Sequence, residues 1–441
     1  KQAQLDGLFQ IKLRKINLGF FKNQVIETNH SQGINTYVLP TNIKDVVTIS
    51  GSFLGGTLYS PSKNPHISTF TAAMLDKGTF NKDKYEIGDV LDSVGAELKF
   101  GSTKHHIFFT AHCLNSDVNI VVEMLAEQLR TPAFRGDEID KLKTRMIGKL
   151  EQSLEDTKKQ ALISFLRILY PKTHPNYKYK TEESLDFIKA INQKDLKTFH
   201  DLAYGINTMN IAVAGDVNPE KFNDQIINHF ADWDKQSINE IDNKLDIIAV
   251  SKNVDKINIK DKTSADMYLG QYIGIDREHN DYYPLMLGIY ILGGNFSARL
   301  MQTVRDEQGL TYGIGSSIGG SNFGIDGYWN TWGTFAPDLI EKGHNATMEQ
   351  INKWCKKGVF EKELISKKST ITGSYKVALD TTGGLVSQIL SNAERKKPIS
   401  YLDEYVGIIN NISLKEINNA ISKYIDPTKL TLVTAGSFNN K

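Results

Sequence analysis

Residues 191–217 read INQKDLKTFHDLAYGINTMNIAVAGDV, and residues 412–438 read ISLKEINNAISKYIDPTKLTLVTAGSF. At an offset of 221 (191 to 412) the two align without a gap. Ile191 meets Ile412, Lys194 meets Lys415, Asp195 meets Glu416, Leu196 meets Ile417, and Ala214-Gly215 meets Ala435-Gly436. Each copy reads as a polar-capped amphipathic helix, a turn and a β-branched strand. Ser413, ahead of Leu414 and Glu416, has the pattern of a reciprocal cap, in which side chain and backbone at the helix start satisfy each other.

The match continues upstream. FRGDEIDKLKTRMIGKL from Phe134 and FEKELISKKSTITGSYK from Phe360 both read as the opening of a long helix, at a similar offset. A period this long predicts a duplicated domain and not a solenoid. The expected fold is therefore α+β, with two homologous domains, each a mostly antiparallel sheet packed with helices. The boundaries expected are 1–234 for the first and 263–441 for the second. Residues 235–262, KQSINEIDNKLDIIAVSKNVDKINIKDK, are rich in Asp, Asn and Lys and lack helical periodicity. They read as the connection, with a short strand at Ile247 to Val250.

In the first domain Val46 to Leu54 reads as a strand, Ile67 to Lys77 and Tyr85 to Val94 as helices, and Glu97 to Gly101 with Ile107 to His112 as a hairpin. In the second, a strand near Tyr268, helices from Tyr282 and Phe296, and strands near Tyr312 and Tyr328 repeat the order.

Composition narrows the function. The chain has 441 residues, 52 Lys+Arg against 51 Asp+Glu, and 40% hydrophobic residues. This is ordinary globular composition. It carries no basic stripe of the kind nucleic acid selects. No apolar run reaches the length of a membrane span; the best, Leu285 to Leu292, is short. Two cysteines, Cys113 and Cys355, cannot build a disulfide framework. One bridge or two free thiols are both open, and free thiols are expected. The first residue is Lys1 and not Met. This reads as a trimmed leader; the compartment stays open, with the bacterial periplasm or cell envelope favoured over the cytosol.

The familiar catalytic motifs are missing. There is no His-Glu-x-x-His, no Cys-x-x-Cys, no Gly-rich phosphate loop followed by Lys, and no Gly-x-Ser-x-Gly. His105, His106 and His112 cluster in KHHIFFTAH. Strand alternation places His106 and His112 on one face and His105 on the other. They read as strand residues, with adventitious metal binding the alternative. His66 reads as a loop residue.

The segment from Pro65 to Leu98 carries a resemblance. Met74-Leu75-x-Lys77-Gly78-Thr79, a polar stretch, a helix and then Gly95-Ala96-Glu97 resemble the pitrilysin/insulinase family of zinc peptidases. That family includes the mitochondrial processing peptidases and the core proteins of the cytochrome bc1 complex. Tyr170-Pro171-x-x-His174-Pro175, Thr181-Glu182-Glu183-Ser184-Leu185 and Ile211 to Val217 fit the same pattern in order. The resemblance covers nearly the whole chain, including the duplication.

The chain departs from the family at the zinc helix. The family carries His-x-x-Glu-His just before Met-Leu-x-x-Gly-Thr. Counting back from Met74, the two ligand histidines fall on Thr69 and Ala73, and the catalytic glutamate on Ala72. The third ligand falls near Gly148 or Lys149. A zinc peptidase site needs three N/O ligands, an open position and a base. Thr, Ala and Ala supply none of these, so no metal or other cofactor is expected in this chain.

A second constellation lies in GGNFSARLMQTVRDEQGLTYGIGSS, from Gly293 to Ser317. Ala298 to Asp306 reads as a helix stopped by Gly309, and Leu310 to Ser316 as a strand. The segment resembles the family's arginine–tyrosine pair, with Arg305 and Tyr312 seven residues apart. In the family that pair reaches over the zinc site of the other half. The tyrosine hydroxyl donates to the oxyanion and the arginine holds substrate carbonyls. The bland alternative is a helix-end salt bridge for Arg305 and a half-buried strand position for Tyr312. Gly319-Gly320-Ser321 and Gly324 read as a mobile or close-approach loop. Tyr328, Trp329 and Trp332 read as core, with the lining of a cavity the alternative.

The resemblance implies a non-catalytic subunit. A homologous partner chain bearing His-x-x-Glu-His would supply zinc, and the two would close around an unfolded peptide. Self-association and a structural or peptide-binding scaffold are the alternatives.

Overall fold

The computed structural model describes residues 21–30, 33–233, 238–241, 248–249 and 251–438. Two sheets organise it. The first takes β1 (Ile26–Asn29), β2 (Asn35–Pro40), β3 (Val46–Leu54), β4 (Glu97–Ser102), β5 (His106–Leu114) and β6 (Asn210–Gly215), in the order β1-β2-β6-β3-β5-β4. The second takes β7 (Asn253–Asn258), β8 (Ala265–Tyr272), β9 (Thr311–Gly319), β10 (Tyr328–Phe335) and β11 (Thr431–Gly436), in the order β7-β11-β8-β10-β9. Each sheet has one parallel pair, β2 with β6 and β7 with β11, and is otherwise antiparallel. The α+β architecture with two homologous sheet units is therefore as the repeat predicts. The repeat also holds to the residue: helices Gln193–Ala203 and Leu414–Tyr424, like β6 and β11, start 221 apart. Both helices open on a reciprocal cap, from Asn192 and from Ser413.

The two halves exchange a helix. Thr157–Leu169, from the first half of the chain, packs across β8 and β11 of the second sheet. Ala161 and Phe165 are fully buried there beside Tyr268, Val433 and Ala435. Reciprocally, Thr382–Glu394 packs across β3 and β6, setting Val386 and Ile389 against Ala212 and Ala214. The first residue of each helix is bolted to the opposite sheet. The Thr157 hydroxyl donates to buried Asp266 at 2.6 Å, and the Thr382 and Thr48 hydroxyls bond at 2.8 Å. With both faces covered, β3 and β8 are buried along nearly their whole length, like the strands of a parallel sheet.

A strut on the 170–176 segment closes the seam. The Asn176 backbone N–H donates to His174 Nδ1 at 3.0 Å, so the proton sits on Nε2, which donates to Asp326 at 2.8 Å. The Tyr272 hydroxyl donates to the other Asp326 oxygen. Tyr170 stacks on His174 with centroids 4.1 Å apart. The Asn176 amide donates to the carbonyls of Asp326 and Gly320. Gly320 has φ +70, and a Cβ there would lie 2.6 Å from the Asn176 side chain. Close approach is thus observed at Gly320, whereas a Cβ on Gly324 would meet nothing. Trp329 is core, its ring tilted against Trp354, while Tyr328 and Trp332 pack toward the exchanged helix.

Three local readings are corrected. The helix read over Ile67 to Lys77 runs only Ile67–Ala72 and gives way to a tighter turn, Leu75–Lys77. The Thr71 hydroxyl bonds back to the Ile67 carbonyl, and β-branched residues weaken a helix this short. The stretch read as a connection, 235–262, contains β7, a polar edge strand whose signal comes from its non-local partner β11. Of the strand read at Ile247 to Val250, both end residues lie outside the described residues; Ile248 and Ala249 have no regular structure. The helix read over Ala298 to Asp306 is largely a π-helical turn, Met301–Glu307. Cys113 and Cys355 are separate free thiols, and burial pushes Cys113 up to about 11.

Candidate functional site

Arg305 stands on the π-helical turn, where each N–H reaches one residue further back than in an α-helix. The turn is stopped by Gly309 at φ +64, whose N–H bonds to the Arg305 carbonyl at 2.9 Å. Two residues on, the chain enters β9, an edge strand. Here the pairing with β10 slips: Thr334 faces Gly313 but Phe335 faces Thr311. Tyr312 is the unpaired residue of this β-bulge. A bulge re-aims the side chain it carries, and Tyr312 is 70% exposed. The bulge is held by the buried Thr311, whose hydroxyl bonds to the Gly313 and Thr334 carbonyls.

Arg305 and Tyr312 meet. Arg305 Nε donates to the Tyr312 carbonyl at 3.3 Å, and its Nη1 pairs with Asp306 at 2.9 Å. The salt bridge of the bland reading exists, but between exposed neighbours, where such a pair contributes ~0–1 kcal/mol. The half-buried Tyr312 of that reading does not. A phenol that is free and outward on a sheet edge can donate to a bound oxyanion. The guanidinium beside it can bind carbonyl oxygens.

The positions matching the zinc motif sit on Ile67–Ala72 and just after. Ala72 is buried, and Thr69 and Ala73 are half-buried, Ala73 against the first core. Gly148 and Lys149 are exposed on the helix Gly136–Leu154. One hydroxyl, two methyls, a glycine and a lysine do not fit a zinc ion. Among the described residues no group of three His, Cys, Asp or Glu is placed to hold a metal.

The other histidines are structural. His66 stands just before Ile67–Ala72, its ring against Phe187 and its Nε2 3.3 Å from the Ser184 hydroxyl. Burial, then the nearby Lys178, lowers it to about 4. His106 is lowered to about 4 by burial and lies 3.7 Å from Glu394. His112 bonds to Thr48 at 3.0 Å. His105 sits in the turn before β5. The bulge at Tyr312 and the His174–Asp326 strut escaped the sequence reading, because neither is a pattern in one segment.

Known proteins give this architecture a family. Residues 37–173 match the profile of Insulinase (Peptidase family M16), and residues 190–371 match Peptidase M16 inactive domain. Together these span most of the chain: it belongs to peptidase family M16, as a member without the zinc motif. An uncharacterized zinc protease, YmxG, of Bacillus subtilis is 24% identical over 358 residues, covering 80% of this chain and 84% of the relative. A Helicobacter pylori protein called a non-peptidase homolog is 22% identical, covering 86% of each. The peptidase M16 inactive domain structure from Pseudomonas fluorescens superposes with TM-score 0.83 at 23% identity, over 94% of this chain and 98% of that one. The ferredoxin protease FusC, solved in complex with Arabidopsis ferredoxin, superposes with TM-score 0.71 at 13% identity, over 94% of this chain and 45% of that one. Among the described residues no helix is long and apolar enough to cross a membrane.

Proposed function

We propose that this chain is the non-catalytic subunit of a two-chain zinc metallopeptidase. A homologous partner bearing His-x-x-Glu-His supplies the metal and the general base. This chain supplies Tyr312 as an oxyanion donor and Arg305 as a binder of substrate carbonyls. The observation that carries the reading is the asymmetry of the two half-sites. Every donor of the zinc site is gone, yet Tyr312 is turned outward by a bulge with Arg305 fastened beside it. At 70% exposure the Tyr312 ring is within reach of another molecule. That FusC is over twice as long as the matched region supports a working unit built from two such folds. Among the described residues β4 ends its sheet, and that edge offers an extended peptide a strand to pair with.

The test is a native pull-down of this chain from its source organism, with co-eluting chains identified by mass spectrometry and zinc and peptidase activity assayed in the same fraction. A stoichiometric partner bearing His-x-x-Glu-His, with zinc and activity, is expected. A zinc-free, inactive monomer or homodimer would replace this reading with a structural or peptide-binding scaffold.

A further inference from the structure

The helix Glu361–Ala378 grips the stretch of chain that leads into the turn carrying Arg305. Lys367 on this helix is 4% exposed, and a lysine is almost never so buried unless its charge is used. Its ammonium donates to Asn295 Oδ1 at 2.9 Å, to the Ser297 carbonyl at 3.0 Å and to the Ser297 hydroxyl at 2.6 Å. All of its hydrogens are thereby engaged, none on a carboxylate. One turn earlier on the same helix, Glu363 takes the Arg299 guanidinium with both oxygens, each at 2.6 Å. Arg299 also donates to the Gly358 carbonyl at 2.9 Å. Asn295, Ser297 and Arg299 are thus fixed from one helix, immediately before Met301–Glu307.

The duplicated chain is its own control. Lys141 stands where Lys367 stands (141 to 367, the same offset as 134 to 360). Lys141 is exposed and paired with Asp137 at 2.9 Å and Glu138 at 2.7 Å. In that half the helix ahead of the edge strand β4, Lys84–Ser93, is α-helical. In the second half the turn ahead of the edge strand β9 is π-helical. The inward lysine and the π turn occur together, in the half that carries Arg305 and Tyr312.

A π turn is rare, and an uncommon backbone arrangement persists where its surroundings fix it. Its far end is fixed by Gly309, bonded to the Arg305 carbonyl, and by the Leu310 N–H, which donates to the Val304 carbonyl at 3.0 Å. Its near end is fixed by Lys367 and Glu363. Relaxed to α-helical pairing, in which each N–H reaches one residue less far back, the turn would rotate Arg305 away from the Tyr312 carbonyl.

We infer that Lys367 is a positioning residue for Arg305: with Glu363, it holds the start of the turn in the register that aims the guanidinium at Tyr312. The inference rests on the proposed peptide-binding role of that pair and adds what sets its geometry. The positioning is a property of this chain alone, present before any partner or substrate is bound.

The test uses the full chain and Lys367→Met, which keeps an unbranched side chain and removes its donors. Hydrogen exchange of the isolated chain is measured first. Amides of 298–312 should exchange at least about tenfold faster, with β8 and β11 unchanged. No change, or a rise confined to 295–297, overturns the inference, as does an equal rise across the whole second sheet of a folded variant. Where Lys367→Met loses its near-UV circular dichroism and is unfolded, Glu363→Gln, which weakens the other grip, is held to the same outcomes. In the assembled complex Lys367→Met should raise KM about tenfold and leave kcat within about twofold, because Arg305 binds substrate carbonyls while Thr311 holds the Tyr312 bulge separately. In an Arg305→Ala background it should add nothing further. A fall in kcat at unchanged KM, or full additivity with Arg305→Ala, overturns the inference. Failure of the pull-down to find a zinc-bearing partner sinks the subunit reading, and the exchange measurement, made without a partner, still decides this one.

Discussion

Arg305 Nε donates to the Tyr312 carbonyl, seven residues further along the chain, at 3.3 Å. The bond ties the end of a π-helical turn to the unpaired residue of an edge-strand bulge. The cation is therefore tied to the backbone of Tyr312, whose phenol is exposed.

Tyr312→Phe removes one hydroxyl and no packing. In the assembled complex it should cut peptidase activity by about 10²–10³-fold, the range for one lost oxyanion donor. Co-purification with the partner should be unchanged. Full activity in an assembled complex would rule out the role.

Thr311→Val tests the bulge. Its hydroxyl bonds to two carbonyls, and the valine keeps the shape. The loss should destabilise the chain by about 1 kcal/mol, read as a lower denaturant midpoint with unchanged slope. Activity of the complex should fall well beyond what that stability change explains, because the Tyr312 side chain is no longer held outward.

Phe165→Ala probes the helix exchange. Phe165 belongs by sequence to the first half but is fully buried on the second sheet. The cost should be about 3–5 kcal/mol. Hydrogen exchange should rise first in β8 and β11; a rise confined to the first sheet would contradict the packing described.

Asp326→Ala removes the acceptor shared by His174 and Tyr272. Two buried donors are left unpaired, so a loss of about 3 kcal/mol is expected. Limited proteolysis near 170–180 should become faster.

His66 gives a pH dependence. Its folded pKa is lowered to about 4 from an ordinary 6.5. Below pH 6.5 the unfolded chain takes up a proton that the folded chain refuses, so stability falls as pH drops from 6.5 and levels off below about 4. The loss is at most about 3 kcal/mol. His66→Gln should flatten the denaturation profile across that window; an unchanged profile would assign the acid sensitivity elsewhere.

The sequence by itself determined the duplication and the absent zinc set. The 221-residue offset, the two caps at Asn192 and Ser413 and the matching strands are local features repeated, and local chemistry is legible in a linear string. Likewise Thr69, Ala72 and Ala73 offer one neutral hydroxyl and two methyls, and no imidazole or carboxylate, whatever the fold around them. Arg305 and Tyr312 were visible as a pair because they are near in sequence. Only the tertiary structure decided what the pair looks like, because a bulge is a mismatch between β9 and a strand that follows it. Only tertiary structure gave the polar stretch Asn253–Asn258 a parallel partner over 170 residues away. It also decided that each sheet is covered by a helix from the opposite half. These relations join segments whose separate sequences carry no trace of one another, so burial and pairing, not propensity, set them.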